Sequence, residues 1–175
     1  MTRPDDILAN PLANKGTAFT LEDFRSYRQA TLPLSALTVL IGANASGKSN
    51  AIEGMRLLSL LAHGQRLANI QLVVQNGEHL VRGTMTSLPY GQGNEFGLGA
   101  EATDAPWRTL AMRLVRRQDG LHIVSETLSQ PGEGEPLYEL DHPSHERDTN
   151  VQVAYNNYAR GGKKSHVTCT DQAAI

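Results

Sequence analysis

The sequence predicts an α/β fold in which a strand, a glycine-rich loop and a helix precede a mostly antiparallel β region. Two observations carry this prediction. An apolar run over residues 30–41 leads into the loop IGANASGKSN, and the loop leads into a segment with apolar residues at helical spacing. From about residue 70 onward the apolar period changes to two, which is typical of strands.

Length and composition set the limits of what the chain can be. It has 175 residues, a formal net charge of -2 and one cysteine, Cys169, which cannot form an internal disulfide. The start MTRPDDILAN lacks the basic and apolar parts of a signal peptide, and no apolar run approaches the roughly 20 residues that span a bilayer. We expect a cytoplasmic protein with no membrane partner.

The first part of the chain contains a predicted arm, two strands and a helix. Residues 1–16 are rich in Pro, Asn and Asp and predict a loose N-terminal arm. AFTLEDF and ATLPLSALTVLI predict two strands, the second ending in a buried apolar run. The loop and helix together cover 39–63, and Gly64 suits the helix end. The apolar face of this helix is predicted to consist of Ile52, Met55, Leu58 and Leu61.

A β-rich subdomain is predicted over residues of about 70–170. WRTLAMRLVRRQ and LHIVSETL flank the turn signal DG and predict a β-hairpin. LYEL, VQVAYNNY and SHVTCT predict further strands, separated by turn-rich segments such as SQPGEGEP and ARGGKK. TDQAAI offers a helix N-cap followed by helix-forming residues.

The loop matches the phosphate-binding pattern G-x-x-x-x-G-K-[ST] through Gly42, Gly47, Lys48 and Ser49. Glycines let the backbone curl around phosphate oxygens, while successive N–H groups and the helix N-terminus face the negative charge. Lys48, the predicted catalytic residue, would reach the β- and γ-phosphates, and Ser49 would ligate Mg²⁺. An ordinary Gly-Ser turn is the alternative, which the flanking strand and helix disfavour. The predicted nucleotide site comprises Gly42, Ala43, Asn44, Ala45, Ser46, Gly47, Lys48, Ser49 and Asn50.

Residues 24–58 resemble the start of the SMC, RecF and OLD-like branch of ABC-type ATPases, a group of AAA-family ATP-binding proteins. That branch has an F-[RK]-[SN]-[FY] element before a strand, and this chain has Phe24-Arg25-Ser26-Tyr27. Its loop pattern G-x-N-x-[SA]-G-K-S-N is matched here from Gly42 to Asn50. The resemblance implies that residues 17–175 form the N-terminal lobe of a P-loop ABC-type ATPase with an antiparallel β subdomain.

The resemblance also implies roles for single residues. Asn44 would sense the γ-phosphate, although an Asx turn that shapes the loop is an equal alternative. Arg25 would approach the nucleotide from the first strand pair, with a solvated arginine as the alternative. Asn50 would stabilise the start of the helix, and Tyr27 would pack rather than stack on a base.

Two motifs of a complete ATPase of this branch are missing from the sequence. We find neither an apolar run ending in Asp-Glu, which holds Mg²⁺ and polarises water, nor a serine-glycine signature loop. SQPGEGEP lacks paired glycines after its serine and predicts a loop. We therefore expect an N-terminal lobe that binds ATP and Mg²⁺ weakly and hydrolyses little by itself.

Three functions compete at this point. The resemblance implies an ATPase switch that closes as a homodimer or higher homo-oligomer around ATP and Mg²⁺. Its output would act on DNA or on an effector, as in antiviral defence. The second hypothesis is a non-hydrolysing, ATP-dependent scaffold that sequesters a nuclease or toxin. The third is a P-loop kinase for a small molecule, which the FRSY element and the long antiparallel region disfavour.

Two weaker clusters are better explained by solvated surface. DHPSHERD contains two histidines, but Pro143 disfavours a helical ligand face and the spacing matches no common zinc site. The second cluster is basic and is expected to be the solvated face of the hairpin and its neighbours. The alternative is a basic edge that contacts nucleic-acid phosphates. Its residues are Arg113, Arg116, Arg117, Lys163 and Lys164.

Overall fold

The computed structural model describes residues 15–75, 81–103, 105–130, 132, 135–143, 150–157, 163–170 and 172–174. Their strands are β1 Lys15–Phe24, β2 Tyr27–Pro33, β3 Glu95–Thr103, β4 Thr109–Arg116, β5 Leu121–Ser129, β6 Tyr138–His142, β7 Asn150–Asn157 and β8 Lys163–Thr170. They form one sheet in the order β2-β1-β3-β4-β5-β6-β7-β8 with antiparallel neighbours throughout. The helices are α1 Lys48–Ala62 and α2 Leu67–Gln75.

Helix α1 confirms the helix predicted after the loop. It ends as expected, because Gly64 adopts a left-handed φ of 66° and its N–H donates to the carbonyl of Leu61 at 2.9 Å. Of the predicted apolar face, Leu58 and Leu61 are buried, whereas Ile52 is 41% exposed and Leu57, which was not predicted, is fully buried. Neither α1 nor α2 has the length and apolar character that crossing a bilayer requires.

Helix α1 packs closely on β1 through Gly54. A Cβ at this position would lie 2.7 Å from Leu21 Cδ2 and 3.2 Å from Phe19 Cζ. The absence of a side chain therefore lets the helix approach the sheet. Both helices join one buried cluster with the apolar face of the sheet, which includes Leu98, Leu110, Met112, Leu114, Ile123 and Leu128.

The structure contains a helix and a strand that the sequence analysis did not predict. Helix α2 occupies the point where a period of two was predicted to begin, and it buries Leu67, Ile70 and Val74 at helical spacing. β3 pairs with both β1 and β4, although it contains two glycines. Gly99 has to lack a side chain, because a Cβ there would lie 2.4 Å from Thr20 Oγ1.

The strand predicted over the apolar run before the loop is wrong in its second half. β2 ends at Pro33, and residues 34–47 form neither strand nor helix. The side chains of Leu37, Val39 and Ile41 are 80%, 67% and 91% exposed rather than buried. β2 and β3 occupy both edges of β1, so the run does not pair with that strand.

Local hydrogen bonds also turn the chain away from an extended path in this run. Ser35 Oγ donates to the carbonyl of Leu37 at 2.7 Å, and the Ser35 N–H donates to Thr38 Oγ1 at 3.0 Å. Such side-chain to backbone bonds compete with strand pairing. Apolar residues alone therefore did not specify a strand here.

The predicted β-hairpin and the three later strands are confirmed. β4 and β5 are joined by a turn in which the Arg117 N–H donates to the Gly120 carbonyl at 2.7 Å. The segments LYEL, VQVAYNNY and SHVTCT contribute to β6, β7 and β8. Of the predicted arm, residues 1–14 lie outside the described residues, and Lys15 and Gly16 belong to β1. Assignment to an ABC-type ATPase lobe stays a prediction.

A buried carboxylate joins β5, β6 and the last described residues. Glu126 is fully buried and accepts a hydrogen bond from Tyr138 Oη at 2.8 Å. Both of its oxygens lie 3.0 Å from the backbone nitrogen of Ala174. Burial, followed by the charge of Glu126 and the hydrogen bond to it, raises the pKa of Tyr138 well above its usual value. Residues 172–174 are not helical, so the possible helix start at TDQAAI stays a prediction.

Candidate functional site

The predicted phosphate loop curls immediately before the first turn of α1. Gly47 caps the helix in a left-handed conformation with φ 95°, and Ala45 has φ 63°. Between them, the N–H of Ser46 donates to the carbonyl of Ala43 at 3.3 Å, which closes a turn. These conformations curve the backbone, as an anion-binding loop before a helix requires.

The loop is open to solvent over most of its length. Its residues Gly42, Ala43, Asn44, Ala45 and Ser46 are exposed, and Gly47 is buried. The N-terminal end of α1 therefore lies below an accessible loop. Partial positive charge at a helix N-terminus favours anions over the first turn.

Lys48 folds its ammonium group back onto the loop. Nζ donates to the carbonyls of Gly42 at 2.7 Å and Ala43 at 2.6 Å, and lies 3.3 Å from Ser46 Oγ. All three of these acceptors are neutral oxygens, so they orient the ammonium group without cancelling its charge. Lys48 can therefore exchange these acceptors for the oxygens of a bound anion.

Ser49 and Asn50 follow Lys48 in the first turn and point to different neighbours. Ser49 is exposed next to the loop, as a residue that meets a ligand must be. Asn50 Nδ2 donates to Ser26 Oγ at 2.9 Å. The predicted structural role of Asn50 at the start of the helix agrees with this contact.

The turn between β1 and β2 packs against Gly47. A Cβ on Gly47 would lie 2.9 Å from Tyr27 Oη and 3.0 Å from Ser26 Oγ. Tyr27 was predicted to pack, and its hydroxyl end packs against the last residue of the loop. Ser26 was not predicted as part of the site, although the FRSY element was the signal that contained it.

Arg25 contacts α1 and the segment after α2. Its Nη2 lies 3.1 Å from Glu53 Oε2, and its guanidinium also donates to Ser87 Oγ and to the carbonyl of Arg82. The Arg25 side chain is 10% exposed, so it is not the solvated arginine of the alternative hypothesis. The predicted approach of Arg25 to a nucleotide stays a prediction.

Burial controls the electrostatics of this arginine. Desolvation lowers the pKa of Arg25 from its usual value, Glu53 opposes that change, and Arg82 adds to it. Arg25 Nε is buried without a hydrogen-bond partner among the described residues. Glu53 is therefore the counter-ion that compensates the largely buried charge of Arg25.

Glu53 is a site residue that the sequence analysis missed. It is 3% exposed and lies on α1, where it also pairs with Arg82 at 2.5 Å. The available signal was its spacing, since Glu53, Leu57 and Leu61 follow one another at intervals of four on the buried face. A charged residue at an apolar helical position indicates a buried ion pair.

The two weaker clusters lie only partly within the described residues. No group of three or more His, Cys, Asp or Glu side chains that could hold a metal ion occurs there, and His145 and Glu146 lie outside those residues. Arg113 pairs with Glu22 at 2.7 Å. Lys163 and Lys164 lie in β8, which is separated from β4 by β5, β6 and β7, so these residues form no continuous basic edge.

Comparison with known proteins gives partial matches. No protein-family model matches the chain. The curated relatives include proteins called DNA replication and repair protein RecF. The one from Acidothermus cellulolyticus is 40% identical over 62 residues, which are 35% of this chain and 17% of that protein. The one from Gloeobacter violaceus is 41% identical over 59 residues, or 33% and 16%.

A third RecF protein, from a Caulobacter species, is 54% identical over 43 residues, which are 24% of this chain and 11% of that protein. The chain thus spans less than a fifth of the length of these relatives. Its similarity to RecF proteins extends over about a third of its residues.

Proposed function

We propose that the chain binds ATP with Mg²⁺ through Gly42 to Asn50 and serves as the nucleotide-binding lobe of a RecF-like ATPase that acts on DNA. The main support for this proposal is the geometry of the loop. Its curled, exposed backbone ends at the N-terminus of α1, and the Lys48 ammonium group lies among the loop carbonyls. The partial similarity to RecF proteins supports the ATPase class, and the role of those proteins in DNA replication and repair, which their name states, supports DNA as the target.

The residues present fit a triphosphate and its metal ion. The loop and the first turn of α1 supply N–H donors, and Lys48 supplies a positive charge whose three acceptors among the described residues are neutral. The exposed hydroxyl of Ser49 would hold Mg²⁺, which neutralises phosphate charge when it is bound. Lys48 would orient the β- and γ-phosphates, and Asn44, exposed on the loop, would meet the γ-phosphate.

Calorimetric titration with Mg²⁺-ATP tests the binding step. We expect Lys48→Ala to weaken ATP binding at least about 100-fold, because charge-assisted hydrogen bonds to phosphate are among the strongest polar contacts. Arg66→Ala is the matched control, since Arg66 is an exposed cation between α1 and α2. Equal ATP affinity in the wild-type and Lys48→Ala proteins would contradict the proposal.

The same variants test the DNA step separately. We expect ATP to increase retention of duplex DNA by the wild-type protein and to leave retention by Lys48→Ala unchanged, measured at fixed salt because phosphate contacts are salt-dependent. ATP binding without any effect on DNA retention would leave the nucleotide site in place and reject DNA as its target. Size-exclusion chromatography with and without ATP tests the predicted homodimer.

A further inference from the structure

Glu53 is held between two arginines that come from different parts of the chain. Its Oε1 accepts a hydrogen bond from Arg82 Nε at 2.5 Å, and its Oε2 lies 3.1 Å from Arg25 Nη2. The Glu53 side chain is 4% exposed and that of Arg82 is 63% exposed. Because an uncompensated buried carboxylate is strongly unfavourable, this carboxylate fixes the guanidinium of Arg25 against α1.

Arg25 transmits this constraint to the turn between β1 and β2. Its backbone adopts a left-handed φ of 55°, and its N–H donates to the carbonyl of Leu88 at 2.7 Å. The side chain also donates to Ser87 and to the Arg82 carbonyl. Backbone and side chain together therefore fix the conformation of the turn at Arg25.

The next two residues of the turn contact the phosphate loop. Ser26 accepts a hydrogen bond from Asn50 at 2.9 Å, and the space above Gly47 is closed by Tyr27 Oη and Ser26 Oγ. A shift of the turn would therefore change the surroundings of the left-handed Gly47, where the loop becomes helix. Glu53 and Asn50 are three residues apart in α1, so both ends of this connection lie on the same helix.

We propose that Glu53 is a positioning residue for the phosphate loop, acting through Arg25 and the Ser26–Tyr27 turn. The inference rests on the nucleotide binding proposed above. Glu53 makes no contact with phosphate in this scheme. It holds the turn so that the loop N–H groups are already oriented when the anion arrives, which lowers the cost of binding.

A double-mutant cycle on ATP affinity tests this connection. Glu53→Gln keeps the shape of the side chain and removes its charge, and we expect ATP to bind about tenfold more weakly. Ser26→Ala removes the acceptor for Asn50 and should weaken ATP binding about threefold. If both act through the turn, the double variant loses about tenfold rather than the product of the two losses.

A second cycle provides the control. Glu22, on β1, forms an ion pair with Arg113, on β4, at 2.7 Å. Glu22→Gln therefore also removes the carboxylate of an ion pair. We expect it to leave ATP affinity unchanged alone and to leave the effect of Ser26→Ala unchanged. Circular dichroism and thermal melting of each variant without ATP establish that affinity is compared between folded proteins.

Each outcome bears on one proposal. Failure of the wild-type protein to bind ATP would reject the proposed function itself. Wild-type affinity in folded Glu53→Gln, or losses that multiply in the double variant, would reject the positioning role while ATP binding stands. If Glu53→Gln does not fold, Glu53→Asp replaces it: the shorter side chain keeps the charge but draws the carboxylate away from Arg25, and an affinity loss of about threefold is expected. Unchanged affinity in folded Glu53→Asp then rejects the role.

Discussion

Gly47 combines two constraints at a single residue of the candidate site. Its φ of 95° lies in the left-handed region, and a Cβ would meet Tyr27 Oη at 2.9 Å. Gly64, at the other end of α1, shares the first constraint, with φ 66°, but has open space around it. Comparing substitutions at Gly47 and Gly64 therefore separates the cost of backbone strain from the cost of a clash with the turn.

Alanine at these two glycines should destabilise the protein by different amounts. We expect Gly64→Ala to lower the free energy of unfolding by about 1 kcal/mol, the cost of a left-handed alanine. Gly47→Ala should lower it by about 1 kcal/mol more, because the new methyl group also displaces the turn. Urea denaturation measures both values. Equal losses of unfolding free energy in the two variants would show that the clash with Tyr27 does not destabilise the protein.

Sequence patterns identified the loop residues but not their supports. The curled loop before α1 was predictable from Gly42, Gly47 and Lys48, because the phosphate-loop pattern places these residue types within eight consecutive positions. The pairing of Arg25 with Glu53 was not, since residues so far apart in sequence meet only after β1 and α1 pack together. Local motifs specify contacts within a loop, whereas the surrounding ion pairs depend on the tertiary fold.

Single elements were predictable where one period dominated and their pairing was local. Helix α1 and the β4–β5 hairpin have clear apolar periods, and both are confirmed. β3 escaped prediction because Gly97 and Gly99 reduce its strand propensity, yet neighbours on both sides pair with it. The apolar run before the loop shows the converse: its strand propensity produced no strand, and local hydrogen bonds of Ser35 turn the chain there.

The hydrogen bond from Tyr138 on β6 to Glu126 on β5 predicts that removing the tyrosine hydroxyl destabilises the protein at neutral pH. Tyr138→Phe should lower the free energy of unfolding by about 2 kcal/mol at pH 7, since a buried carboxylate loses a hydrogen-bond donor. Tyr155→Phe on β7 is the control. Tyr155 is 36% exposed, and its variant should change the free energy of unfolding by less than about 0.5 kcal/mol.

The raised pKa of Tyr138 predicts the pH dependence of the same pair. Below the usual tyrosine pKa of 10.0 both states are protonated, and the contribution of Tyr138 to stability is complete. As pH rises above that value, the unfolded state loses the proton and the folded state keeps it, so the wild-type free energy of unfolding falls. The gap between wild type and Tyr138→Phe should therefore narrow in urea titrations above pH 10.0. A constant gap would contradict this linkage.

At the scale of the whole molecule, the buried core and the exposed apolar run are separate. Helices and sheet share one cluster of buried residues, while Leu37, Val39 and Ile41 alternate along an exposed segment between β2 and α1. Exposed apolar side chains that lie close together favour association between molecules. They contribute little to the stability of the described fold, because they are already in contact with water.

Replacing this run should change association rather than folding. We expect the triple variant Leu37→Thr, Val39→Thr and Ile41→Thr to change the free energy of unfolding by less than about 0.5 kcal/mol and to reduce light scattering at high protein concentration. Urea denaturation and static light scattering measure the two effects. A large loss of stability would show that these side chains pack in solution.

The order of strands in the sheet has a consequence for folding kinetics. From β3 to β8 every strand pairs with the next one in the chain, so these pairs form by closing short loops. β1 instead pairs with β3 across the segment that contains the glycine-rich loop and both helices. Because closing a long loop is entropically costly, we expect this pairing to form late, and the proposed ATP binding should recover more slowly during refolding than the β-sheet signal.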